Sequence, residues 1–240
     1  MNKGIVISLY DYTGEALKPW AKNGYDCYAF DIQHTDLGAM EWFYDENHVL
    51  GSISYLYADL HDFNSHKAIF NMFNHKRVVF GMAFPVCTDL AVSGAAWFKR
   101  KEAANPGFQD KAVQHAIDCE HLFWHFDCPY FIENPVSVLA TKWRKPDYSF
   151  HPYEYGEYIP DDEAAHPRWP HYIAPKDAYT KKTCLWTSHS FRMPHRLPTC
   201  KPNGYSAQHL KLGGKSKRTK DIRSATPRGF ATAVYEFNRA

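Results

Sequence analysis

Short apolar runs recur along the chain at residues 4–10 (GIVISLY), 27–33 (CYAFDIQ), 54–60 (SYLYADL), 76–84 (KRVVFGMAF) and 129–134 (PYFIEN). Helix-like stretches separate them, among them ALKPWAKNGY after the first and KAVQHAIDCEHLFWHF before the last. Parallel strands need a long crossover, which a helix usually supplies, so this alternation specifies βαβ units and a mostly parallel sheet. Within residues 111–126, Val113, Ala116, Ile117, Glu120 and Trp124 share one helical face, with Ala112, Cys119, Phe123 and Phe126 beside it. That helix should cover the sheet. The expected fold is a doubly wound, Rossmann-like α/β sheet. A chain of 240 residues, 45% of them hydrophobic, can bury the core of one such domain.

Residues 145–210 break the pattern. Pro146, Pro152, Pro160, Pro167, Pro170, Pro175, Pro194, Pro198 and Pro202 interrupt any long helix there, and Tyr, Trp and His are dense. The segment reads as an irregular insert between a cofactor-binding and catalytic region at 1–144 and a closing region at 211–240. The closing region combines a basic stretch, KLGGKSKRTKDIR, with a helix-capping Ser/Thr-Pro sequence and a final helix in SATPRGFATAVYEFN. No internal repeat is present.

The formal net charge of +2 conceals a gradient. Residues 1–75 carry four Lys/Arg against ten Asp/Glu, and residues 196–240 carry ten against two. The basic C-terminal stretch is suited to neutralising phosphates, or equally to forming a solvated loop. No run of 18 apolar residues occurs, and the apolar stretch before Asp11 is short for a signal peptide. A soluble, cytoplasmic protein is therefore expected, with Cys27, Cys87, Cys119, Cys128, Cys184 and Cys200 as reduced thiols.

In a doubly wound sheet ligands bind at the carboxyl ends of the strands, which gathers Asp11, Asp31, Asp59, Cys87 and Glu133 on one rim. Asp31 can accept from ribose hydroxyls or cap its strand, and Asp59 can face an adenine amino group or cap a turn. Gly14 permits close backbone approach. Cys87, in FPVCTDLAVSG, follows a hydrophobic strand and Pro85, and Glu133 ends a second apolar strand before Asn134. A carboxyl group there is costly to bury without a partner, so it is either solvated or functional.

These segments, in this order, resemble the DNA cytosine-5 methyltransferases, especially the small phage-type versions. LYDYTGEALKPWAKNGY is similar to the cofactor loop, AFDIQ to the acidic second-strand motif and YADL to the third. FPVCTDLAVSG is similar to the Pro-Cys motif and FIENPVS to the Glu-Asn motif. YTKKTCLW and IRSATPRGFATAV look like the later segments. The resemblance implies a Rossmann-like methyltransferase sheet, S-adenosylmethionine or a modified analogue as cofactor, and DNA as partner, with RNA or a nucleotide as alternatives. It also implies a monomer with no membrane association, in the cytoplasm of a bacterial host if phage-encoded. The cofactor would be held by Tyr10, Asp11, Tyr12, Thr13, Gly14, Asp31, Ile32, Asp59, Leu60, Pro85, Ser224 and Thr226. The Cys87 thiolate would add to C6 of cytosine, Glu133 would engage N3 and the exocyclic amine, and Asn134 would orient the loop. Base extrusion and binding would draw on Ser93, Lys99, Arg100, Lys101, Lys181, Lys182, Lys215, Lys217 and Arg218.

The sequence departs from the family pattern in several places. Tyr12 and Glu15 stand where glycines are expected, Pro-Val-Cys replaces Pro-Pro-Cys, and no clear Gln-x-Arg segment is present, a role open to Lys181 or Lys182. Cys184, His189, His195 and Cys200 are a competing zinc quartet. Trp169, Tyr172, Trp186 and Arg192 could hold unpaired nucleotides or form a local core. Two rival functions follow: cytosine modification on another polymer or with another donor, and a catalytically silent nucleic-acid-binding platform.

Overall fold

The computed structural model describes residues 3–35, 37–46, 48–204, 206–213 and 216–239. The chain runs β1 (Ile5–Leu9), α1 (Lys18–Ala21), β2 (Asp26–Asp31), β3 (Ala39–Tyr44), β4 (Val49–Tyr57), α2 (Phe63–Phe73), β5 (Val78–Ala83), α3 (Phe98–Ala104) and α4 (Phe108–His125). It continues through β6 (Tyr130–Pro135), α5 (Leu139–Lys142), β7 (Tyr148–Phe150), β8 (Thr183–Thr187), α6 (Ala207–Lys211), α7 (Lys217–Ser224) and α8 (Arg228–Asn238). One eight-stranded sheet forms in the order β3-β4-β2-β1-β5-β6-β8-β7. The pairs β1–β2, β1–β5, β2–β4 and β5–β6 are parallel, as the apolar runs predict, and β3, β8 and β7 join antiparallel to their neighbours. The chain travels outward from β1 on one side and returns through β5 on the other, so the topological switch point lies between those two strands.

All five residues of β1 are buried because helices cover both faces of the sheet. Ile7, Leu9 and Phe30 face a core with Ile69 and Phe73 of α2 and Ala116, Cys119 and Phe123 of α4. Val6, Cys27, Phe80 and Phe131 face a second core with Trp20 of α1 and Phe230 and Val234 of α8. On α4, Val113, Ala116 and Glu120 are buried as expected, whereas Trp124 is exposed and donates Nε1–H to the Tyr130 hydroxyl at 2.9 Å. Buried Glu120 is paired with Arg144 at 3.1 Å and accepts from Tyr130.

The 145–210 segment differs from its reading as an irregular insert. It holds several 3-10 turns, but it also supplies β7 and β8 to the sheet. Trp186, a candidate stacking residue, lies in β8 with no exposed surface and donates Nε1–H to the Arg144 carbonyl. It is core, not a nucleotide contact. Trp169 and Tyr172 pack on a small core of Ile173, Tyr179, Leu212, Ile222 and Ala225, which fastens α7 to this segment.

The N-terminus of α8 is held by Asp177, which is buried and accepts from the Gly229 amide at 3.0 Å. Burial pushes the Asp177 carboxyl up to about 6, opposed by the Gly229 N–H and the Arg228 charge. An acid raised in the folded state holds a proton that the unfolded chain has lost, so its contribution is full below the unfolded value of 3.8 and fades as pH rises through 6. Urea unfolding should therefore show stability falling between pH 4 and 7 by about 2–3 kcal/mol more in the wild type than in Asp177→Asn. Parallel profiles for the two proteins would show that the group titrates alike in both states.

Candidate active site

The loop after β1 is organised by its own first acid. Asp11 is buried and accepts from Ser8 Oγ (2.8 Å), Thr13 Oγ1 (3.3 Å) and the Gly14 amide (2.8 Å). Burial raises its carboxyl pKa, against these hydrogen bonds. Tyr10 adopts a left-handed backbone (φ 57°) and its hydroxyl donates to the Leu60 carbonyl at 2.9 Å, joining the β1 and β4 ends of the rim. Gly14 (φ 67°) packs on Tyr55 so closely that a Cβ would lie 2.5 Å from Oη. Only glycine fits there.

Asp31 and Asp59 stand at the ends of β2 and β4. Asp31 is buried and spends Oδ1 on the Gln33 amide (2.8 Å); Asp59 spends Oδ1 on the His61 amide (3.0 Å). Each carboxylate has a second oxygen for a ligand, which suits the hydroxyls and amines of a nucleoside. Ile32 is exposed beside Asp31. The Tyr12–Glu15 end of the loop presents a different surface. The Tyr12 ring stacks on His34 (centroids 5.6 Å apart) and carries the Lys217 ammonium 3.7 Å above it, and buried Glu15 pairs with Lys18 at 2.7 Å. Thus Asp31 and Asp59 each keep a carboxylate oxygen at the rim, while the side chains of Tyr12 and Glu15 fill the end of the loop after β1.

Cys87 opens a 3-10 turn after β5, and Glu133 lies near the end of β6, the next strand in the sheet. The two loops are fastened together. Buried Asn134 donates Nδ2–H to the Pro85 carbonyl (2.9 Å), Val138 N–H donates to Leu90 O (3.0 Å), and Val92 N–H donates to Val136 O (3.1 Å). Cys87 reaches solvent, whereas Cys27, Cys119, Cys128 and Cys184 are buried. Crowding around the thiol pushes its pKa up, the Glu133 charge adds to this, and Lys181 pulls it down. Burial likewise raises Glu133, again opposed by Lys181. Lys181, donating to the Arg223 carbonyl at 3.1 Å, is the cation shared by both groups. Ser224 and Thr226 line the same narrow crevice as Glu133 and Lys181.

Other expectations fall differently. Lys101, partly exposed, pairs with Asp89 (2.6 Å) and donates to the Thr88 carbonyl (3.0 Å), which braces the turn after Cys87. Ser93, Lys99, Arg100 and Lys182 are exposed. Lys217 is committed to Tyr12 and Asp221, and Arg218 lies over the Tyr172 ring at 5.1 Å. Arg192 is exposed and its backbone amide is bonded to Asn238. Lys215 lies outside the described residues. The zinc quartet does not assemble: among the described residues no three metal-ligating side chains cluster, and Cys184 is buried in β8 while Cys200 is exposed elsewhere. His34, Tyr55 and Asp177 carry no local sequence signal, because only long-range packing brings them to the loop and to α8.

A thiol and a carboxyl group on adjoining loops at the rim of a Rossmann-like sheet define a candidate nucleophile–acid site. No family model and no curated protein matches the chain. Among solved structures it is similar to an E. coli protein described as a "putative DNA modification methyltransferase encoded within prophage", at 13% identity and a TM-score of 0.42 over 76% of this chain. The chain spans 45% of that protein's length. Likeness at this level bears on neither the site nor its chemistry. No helix among the described residues is long and apolar enough to cross a membrane.

Removing the Lys181 charge should raise the Cys87 thiol further. In Lys181→Gln, iodoacetamide labelling of Cys87, followed by peptide mass spectrometry, should move its pH midpoint upward relative to the wild type. An unmoved midpoint would separate Lys181 from the thiol.

Proposed function

We propose that the protein transfers a methyl group from S-adenosylmethionine to C5 of cytosine in DNA. The observation that carries this reading is the bonding of the Cys87 turn to the loop after Glu133 through Asn134, Leu90 and Val92, beside Lys181.

C5 of cytosine is a poor nucleophile, and addition of a thiolate to C6 makes it an enamine-like one. Cys87 supplies the thiolate, and Lys181 favours that ionised form. The raised pKa of Glu133 favours the protonated carboxyl, which can donate to N3 as electrons move into the ring. Asn134, tied to Pro85, holds the Cys87 turn against the Glu133 strand. S-adenosylmethionine would supply the electrophilic methyl group, its S–CH3 bond breaking to leave S-adenosylhomocysteine, and Asp31 and Asp59 would receive its nucleoside. Loss of the C5 proton and elimination of the thiolate from C6 restore the aromatic ring and the free cysteine. A base inside a duplex must be extruded to reach Cys87.

Nucleoside mass spectrometry after incubation of mixed-sequence DNA with the protein and S-adenosylmethionine should show 5-methyldeoxycytidine with the wild type and none with Cys87→Ser. Product formed by Cys87→Ser would sink the nucleophile assignment, and a different mass on cytosine would point to another donor group. Asp31→Ala should raise the cofactor dissociation constant roughly tenfold, the scale of one hydrogen bond. Equal constants by calorimetry would remove Asp31 from the pocket.

A further inference from the structure

Beyond the crevice shared with Glu133, Lys181 also lines a second pocket of about 310 Å³, between the approach to β8 and the helices α6 and α7. Its lining has one chemical character. Thr180, Lys181, Ser206, Gln208, His209 and Arg223 all carry hydrogen-bond donors, Tyr179 adds a hydroxyl, and among the described residues no carboxylate takes part. Gln208 is 7% exposed, and its buried Nε2 has no hydrogen-bond partner. The Tyr179 hydroxyl interacts with Gln208 without meeting hydrogen-bond geometry at that nitrogen. Arg223 gives one Nη2 bond to the Leu212 carbonyl, and Lys181 gives one Nζ bond to the Arg223 carbonyl, so both cations keep donors to spare. A buried amide donor without an acceptor is costly, and an anion with several acceptor oxygens would satisfy it together with the flanking cations.

We infer that this pocket is a phosphate subsite that seats a backbone phosphate next to the base presented to Cys87 and Glu133, so that the substrate is a polynucleotide and not a free nucleoside. The inference rests on the proposed reading of the rim only for which base is presented; phosphate binding stands on the pocket's own donors. Lys181 then has two neighbours, the thiol–carboxyl pair on one side and the phosphate on the other.

The test is fluorescence anisotropy with a labelled cytosine-containing oligonucleotide across a range of salt concentrations, in the full chain. Arg223→Gln should weaken binding roughly tenfold and reduce the slope of log K against log salt by about 1, the signature of one lost phosphate contact, and Arg223→Lys should restore the slope. Gln208→Glu, nearly isosteric, places a carboxylate against the phosphate and should weaken binding at least as much, with an unchanged melting temperature showing that the fold is intact. Wild-type affinity and slope in both Arg223→Gln and Gln208→Glu would overturn the subsite, as would an absence of oligonucleotide binding by the wild type at low salt. Failure of the cytosine chemistry is read separately: oligonucleotide binding that responds to these substitutions, with no modified nucleoside formed, leaves the subsite standing and removes the proposed reaction.

Discussion

The parallel pairing of β1 with β2 on one side and β5 on the other is the constraint on which everything else depends. A strand buried on both faces must be apolar along its whole length, and IVISL is, apart from Ser8, whose hydroxyl is spent on Asp11. Because crossovers run outward from this strand in both directions, loops from the two halves of the sheet open onto the same rim. The loop after β1 and the Cys87 turn after β5 thus become neighbours through the topology of the sheet.

Much of this was legible in the sequence, and the reason is physical. Strands buried on both faces read as continuous apolar runs, so β1, β2, β5 and β6, and the C-terminal half of β4, announce themselves, and rim residues follow as the polar groups at their ends. β3 and β7 do not. β3 is an edge strand with Met40, Trp42 and Tyr44 exposed, and β7 has three residues; neither leaves the apolar signature that double burial imposes. β8 was hidden for another reason, since TCLWT lies inside a proline-rich stretch whose composition suggests loops.

Partnerships across long sequence separations were illegible as well. Lys217 looks like one more member of a basic stretch until α7 docks and sets its ammonium over Tyr12. Lys101 looks like a phosphate ligand beside Lys99 and Arg100 until the turn at 87–89 brings Asp89 to it. Charge counting identifies which segments are basic, but it cannot tell which cations are already neutralised at home. Asn134 ties the two loops together through an amide that reaches the Pro85 carbonyl, a partner that the sequence pattern alone does not name.

The position of β8 has a consequence for the order in which the molecule can be assembled. β6, which carries Glu133, is paired on one side by β5 and on the other by β8, whose residues lie about fifty positions further along the chain. During synthesis the Cys87 turn and the Glu133 strand are made first, with one edge of β6 open. Lys181 lies two residues before β8, so the cation that tempers the thiol and the carboxyl group reaches them only when that edge is closed. A chain that stops short of β8 has the thiol and the carboxyl group but not the cation that opposes the effect of burial on them, so the electrostatics of this rim are a property of the finished sheet.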